Sequence, residues 1–160
     1  MGRIDKENYY LDIAQTVAGR STCLRRCYGA ILVKSDEIIS TGYNGAPRGR
    51  RNCVDLSYCT REALNIPSGE RYEMCRSVHA AADASISAAR SDALGATLYM
   101  ACVEPDTGAL IPGSTSCSMC RRLIINAGIE RVVIRNTETE YSVVHVEDWV
   151  REDDSLPRQV

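Results

Sequence analysis

At 160 residues with 44% apolar content, the chain has room for one compact domain and no second one. Nineteen basic against twenty-one acidic side chains leave a net charge of −2, which supplies no global field for a polyanion and argues against a nucleic-acid polymer as partner. No run of eighteen or more apolar residues occurs, and the opening MGRIDKENYY lacks the apolar stretch of a signal peptide, so the expectation is a cytoplasmic protein with no membrane partner.

Phe is absent and Trp occurs once, so the core must come from aliphatic residues and some of the eight Tyr. Their hydroxyls want partners and should sit at a rim or in a site. Asp5 is placed to cap a first helix whose apolar positions Tyr10, Ile13, Ala14 and Val17 follow helical spacing up to Gly19. Two segments rich in Ile and Val, Tyr28–Lys34 and Glu37–Tyr43, meet at Ser35 and Asp36 and read as a β-hairpin. From Asn44 to about Arg76 the chain is rich in Gly, Pro, Arg and Cys, a long irregular stretch that calls for a staple or a job.

The Ala-dense run Val78–Ala89 reads as a helix, Ala96–Cys102 as a strand, Cys117–Ala127 as a helix stopped by Gly128, and Val132–Arg135 as a strand. Val146–Arg151 reads as a short helix or turn, and the polar tail after 151 is expected to fray. The order strand, helix, strand, helix, strand suggests a parallel sheet with covering helices.

Eight cysteines in a cytosolic chain of this size point to metal rather than disulfides. His79 and the pair Cys117 and Cys120 offer one imidazole and two thiolates, a known three-ligand set for a zinc ion (Zn²⁺) whose fourth position stays open. His79 and Cys117 both fall at the start of a predicted helix. Unpaired amides and the positive end of the dipole favour thiolate there. A redox Cys-x-x-Cys pair is the competing reading, disfavoured because no strand leads directly into Cys117. Hydrolytic deaminases of cytosine or adenine pair such a site with H-x-E and P-C-x-x-C, the Glu serving as general acid and base. Here the segments are His79, Ala80, Ala81 and Ser116, Cys117, Ser118, Met119, Cys120.

Together with STCLRR (21–26), GAILV (29–33), STGYNGAPRG (40–49), PSGERYEMCRS (67–77) and CSMCRRLIINAGI (117–129), these residues make the chain similar to the deoxycytidylate (dCMP) deaminase family, its bacterial late-competence type especially. The resemblance implies a three-layer α/β cytidine-deaminase-like fold, with a mixed central sheet of about five strands and helices on both faces. It implies hydrolysis of dCMP to dUMP and ammonia, a homo-oligomer that is often a hexamer, and regulation by dCTP or dTTP as in some relatives. By the same resemblance Asn44 contacts the nucleotide sugar, Ala80 belongs to the substrate-binding positions, Arg26 and Arg48 are phosphate contacts, and Tyr141 lies near the nucleotide. Planar guanidinium donors suit a phosphate.

The chain departs from the family at Ala81, where members carry Glu, at Ser116, often Pro, and at Cys27, usually basic or polar. Only Ala81 touches the chemistry. It replaces the proton shuttle, and Glu104, the nearest other carboxylate to a predicted site strand, lies in a loop badly placed to reach the ring. An alanine here reads as a substitution that traps a substrate complex; a natural nucleotide-binding pseudoenzyme, or action on a related modified cytosine nucleotide, are the alternatives. A tRNA or single-stranded DNA editing enzyme would want a basic, aromatic-lined channel, against which the charge balance and missing Phe both count. Cys23, Cys53, Cys59 and Cys75 could close a structural four-thiolate zinc site over the long loop, with free buried thiols as the alternative. Some relatives carry a second zinc near these positions. Cys27 and Cys102 read as small core residues.

Overall fold

The computed structural model describes residues 2–157. Helix α1 (Lys6–Ala18) starts where the Asp5 carboxylate accepts a hydrogen bond from the Asn8 amide at 2.9 Å. Strands β1 (Cys27–Lys34) and β2 (Glu37–Tyr43) form an antiparallel hairpin, with positive φ at both turn residues, Ser35 and Asp36. That two-residue geometry matches the right-handed twist of the flanking strands.

The stretch 44–76 is not structureless. It holds the one-turn helices α2 (Cys53–Leu56) and α3 (Thr60–Ala63) and a 3₁₀ turn at Tyr72–Met74. Helix α4 (Ala80–Ile86) is shorter than the expected Val78–Ala89: Ser87 caps it, and a separate turn of helix, α5 (Arg90–Ala93), follows. Next come β3 (Thr97–Val103), α6 (Ser118–Ala127), β4 (Arg131–Arg135), β5 (Tyr141–His145) and α7 (Val146–Arg151). Gly128 ends α6 in the left-handed conformation, φ 81°. The tail expected to fray is tethered in part, by an Arg121–Asp154 ion pair at 3.3 Å; residues 158–160 lie outside the described part.

The five strands make one sheet in the order β2-β1-β3-β4-β5. A fully parallel sheet is corrected by the register. Only β3 and β4 run parallel, while β1 pairs antiparallel with β2 and β3, and β5 returns antiparallel to β4. The reason lies at the two ends: a tight hairpin forces β1 and β2 antiparallel, and the short turn 136–140 does the same for β4 and β5.

Period-two alternation distributes β1 between two cores, Ala30 and Leu32 facing one layer and Ile31 and Val33 the other. Helix α1 buries Tyr10, Leu11 and Ala14 on the second face, against Tyr99 and Val133. Helices α4 and α6 bury Ala81, Ala84 and Ile124 on the first, against Leu98, Met100 and Val132. The result is the three-layer α/β arrangement with a mixed five-stranded sheet. Both helix layers sit close: a Cβ on Gly29 would lie 2.0 Å from the Ala14 carbonyl oxygen, and one on Gly42 2.4 Å from that of Ala80. Among the described residues no helix is long and apolar enough to cross a membrane.

Candidate metal centre

Helices α4 and α6 bring their first turns together on one face of the sheet. His79 is the N-cap of α4, and Cys117 is the N-cap of α6, its thiol accepting from the Cys120 amide at 3.4 Å. The His79 Nδ1 lies 3.3 Å from the Cys120 Sγ and 3.5 Å from the Cys117 Sγ. Among the described residues these three form the one group of three or more metal-capable side chains whose ligand atoms all lie within 4.8 Å of one another. Tetrahedral zinc with ordinary Zn–N and Zn–S bonds separates nitrogen from sulfur by about 3.6 Å. Donor set and spacing therefore fit zinc with little rearrangement, with Nδ1 as the ligating nitrogen.

The electrostatics of the three side chains agree. Cys117 is held well below the ordinary thiol range, first by its hydrogen bond with Cys120 and then, against burial, by His79 and the Cys120 amide. The same contact, with burial, pushes Cys120 up. His79 is raised to about 9, first by the Cys117 thiol and then by Cys75.

Over this cluster opens a cavity of about 520 Å³. Arg25, Arg26, Arg61 and Arg121 line it, and no Asp or Glu does, in a chain whose overall charge is negative. Ala81 lies in its wall, 2% exposed, beside Ala80. No carboxylate takes the place of a side chain at 81. Asp83, two residues further along α4, faces Arg48 at 3.5 Å and the Tyr43 amide at 3.4 Å. Glu104 accepts from Thr107 and stands outside the cavity.

The other positions singled out in the sequence divide. Arg26 lines the cavity beside Tyr28. Asn44 also lines it, yet most of its amide is in use: Oδ1 accepts from Ser21 Oγ and from the Tyr28 amide at 2.8 Å, and Nδ2 donates to the Arg26 carbonyl at 2.8 Å. One N–H of Asn44 is left to offer. Arg48 and Tyr141 are not among the lining residues; the Arg48 side chain is 79% exposed, and Tyr141 starts the edge strand β5. Ser116, buried, donates to the Met100 sulfur at 3.3 Å. Cys23, Cys59 and Cys75 line the cavity and Cys53 is buried nearby, but their sulfurs are not gathered to ligand spacing. Cys27 and Cys102 are core residues, and burial pushes the Cys102 thiol up to about 11.

Sequence reasoning missed Tyr28, Arg61, Tyr72 and Arg121, all of which face the cavity. For Tyr28 the demand of a half-buried hydroxyl for a partner was a usable signal. A lone arginine in an irregular segment carries none.

Residues 4–136 match the family described as the cytidine and deoxycytidylate deaminase zinc-binding region. The deoxycytidylate deaminase of Mycobacterium phage D29 is 40% identical over 138 residues, covering 83% of this chain and 96% of its own. That of Schizosaccharomyces pombe is 32% identical over 127 residues, 79% of this chain but 36% of the longer yeast protein. Among solved structures, the dCMP deaminase of cyanophage S-TIM5 in complex with dCMP and dUMP has a TM-score of 0.55 at 23% identity, covering 84% of this chain and 85% of its own. At that identity the likeness is one of fold.

Proposed function

Since the chain belongs to the family that shares the cytidine and deoxycytidylate deaminase zinc-binding region, we propose that its cavity takes dCMP or a related pyrimidine nucleotide above a zinc ion on His79, Cys117 and Cys120, and that Ala81 leaves it unable to turn the nucleotide over. One observation carries both halves: the cavity is lined by four arginines and by no carboxylate. Arg61 is spent on the Pro67 and Glu70 carbonyls, but the guanidinium groups of Arg25, Arg26 and Arg121 suit a phosphate monoester. The missing carboxylate removes the group that would move protons.

A zinc ion would be held by His79, Cys117 and Cys120, and would supply activation of water as a nucleophile near neutral pH. The remaining work belongs to the chain. Arg26, in the cavity wall, holds the phosphate and with it the register of the base. A carboxylate at 81 would take a proton from the nucleophile, pass it to the ring nitrogen and assist departure of the amine. The Ala81 methyl can do none of these, and Asp83 and Glu104 are engaged elsewhere. General acid and base catalysis is worth about 10² to 10⁴ in rate, so binding survives where turnover collapses.

The proposal extends to a homo-oligomer, a hexamer in the family reading with dCTP or dTTP as effectors, and to a second zinc on Cys23, Cys53, Cys59 and Cys75. Cys23, Cys59 and Cys75 line the same cavity with Cys53 buried nearby, and a second ion would have to draw their four sulfurs together. The late-competence subtype enters only through the substrate it shares with the family.

Zinc-loaded protein mixed with dCMP tests the main reading. The chain should bind about one nucleotide per site with negligible release of ammonia, and Ala81→Glu should raise turnover at least about 10²-fold. Ordinary turnover without the substitution would overturn the role given to position 81. Binding with no gain from Ala81→Glu would favour the second reading, a non-enzymatic nucleotide-binding protein.

A further inference from the structure

Metal-ligating histidines are ordinarily steadied by a carboxylate, carbonyl or water on their second nitrogen. Among the described residues no oxygen of the protein hydrogen-bonds the His79 ring, whose Nδ1 faces the two sulfurs. What holds it comes from the irregular segment instead. The Tyr72 ring stands edge-on to the imidazole, centroids 5.0 Å apart and planes at 86°.

Tyr72 is itself backed by an arginine. The Arg61 guanidinium lies 4.3 Å over the Tyr72 ring centroid, a cation–π contact. Arg61 is 6% exposed, and among the described residues all its hydrogen bonds go to backbone carbonyls: Nη2 to Pro67 at 2.9 Å and Glu70 at 3.0 Å, Nε to Glu70 at 3.2 Å. A buried charge paired with carbonyls rather than a carboxylate is costly unless its geometry is fixed. Here the fixed geometry closes the loop 67–70 and presses the next turn, 72–74, against the metal ligand.

From this stack we infer that Tyr72 and Arg61 are positioning residues for the metal site: Tyr72 sets the orientation of the His79 imidazole, and Arg61 sets Tyr72 by clamping residues 67–70. The inference rests on His79 being a zinc ligand. It assigns the segment between α3 and α4 a role that neither ligand spacing nor the Ala81 substitution requires.

The test follows release of zinc to a chelator from the folded, zinc-loaded full chain, counting only zinc that His79→Ala fails to bind. Tyr72→Leu should release that zinc about 10- to 100-fold faster, the usual effect of removing an outer-shell group. Tyr72→Phe, which keeps the ring, should stay with the parent. Arg61→Lys, which keeps a charge but cannot span both carbonyls, should fall between them. With cobalt(II) in the site, the visible ligand-field bands should shift in Tyr72→Leu and not in Tyr72→Phe, a change that general loosening of the fold would not confine to the ring-less variant. If Tyr72→Leu does not fold, Arg61→Lys against Tyr72→Phe decides by the same two readouts. Parent-like release and spectrum in Tyr72→Leu, or in Arg61→Lys where it stands alone, would overturn the inference. Full zinc content in His79→Ala would instead overturn the metal reading beneath it.

Discussion

Gly42 in the hairpin and Ala80 in the first turn of α4 are packed backbone to backbone, so closely that a methyl group on Gly42 would lie 2.4 Å from the Ala80 carbonyl oxygen and equally near the Ala84 nitrogen. The helix that begins at His79 is therefore seated by main chain, with only the small side chains of Ala80, Ala81 and Ala84 turned towards the core. No flexible side chain can give way.

Gly42→Ala should accordingly lower stability by about 1–3 kcal/mol, since overpacking at a backbone contact forces a shift. The shift displaces α4, and zinc content should fall with it. Gly49→Ala is the control: its φ of 93° makes alanine unfavourable, but nothing lies within 4 Å, so a cost of about 1 kcal/mol with zinc unchanged is expected. Urea unfolding and metal analysis of both variants check this; equal zinc loss in the two would refute it.

Zinc uptake should release protons in a number set by the protonation of His79, Cys117 and Cys120. With its pKa raised to about 9, His79 carries a proton at pH 7 that must leave before Nδ1 can ligate. Cys120, raised, also holds one, whereas Cys117, lowered, holds none. About two protons should therefore appear per zinc at pH 7, and apparent affinity should climb as pH rises towards 9. Calorimetry in buffers of different ionisation enthalpy measures the count. Release of three, or none, would contradict the assigned protonation.

Replacing Arg26 tests the phosphate contact. Arg26→Ala should weaken dCMP by about 1.5–3 kcal/mol, the range for a hydrogen bond to a charged group, while deoxycytidine, lacking the phosphate, should bind as before. Arg48→Ala should change neither ligand, because Arg48 stands outside the cavity and faces Asp83. Loss of dCMP binding in Arg48→Ala with none in Arg26→Ala would reverse the assignment.

Metal analysis of protein never exposed to chelator should give about two zinc ions per chain, falling to about one in a Cys53→Ser, Cys59→Ser double variant. A value of one in the parent would remove the second site and leave the segment 44–76 held by Arg61.

Much of this architecture is written locally. Asp5 before an amphipathic run, Ser35 and Asp36 between two β-branched segments and Gly128 after an apolar helix each fix a boundary through nearby backbone chemistry. The metal ligands were legible for the same reason, since His79 and Cys117 both fall at helix starts. Strand β5 was not: Tyr141–His145 lies on an edge, Tyr141 and Val143 are exposed, and it follows a polar turn, so neither alternation nor hydrophobicity marks it. Helices α2 and α3 are a single turn each, too short to show a period. Arg61 and Arg135 resemble surface charge in the sequence, yet they are 6% and 2% exposed. Arg61 meets carbonyls of its own segment, and Arg135 meets Asn8, Asp12 and Gln15 from the far end of the chain. Only tertiary structure supplies such partners.

The hydrogen bonds of Asn44 bear on how the cavity recognises anything at all. Its amide ties Ser21, the Arg26 carbonyl and the Tyr28 amide into one rigid corner at the open end of the β1–β2 hairpin. That corner was ordered when the chain folded, so a ligand entering there surrenders its own freedom but asks almost none of the wall. Recognition at this end of the cavity is consequently a matter of shape already decided, and a ligand that does not match it meets a surface that will not adapt.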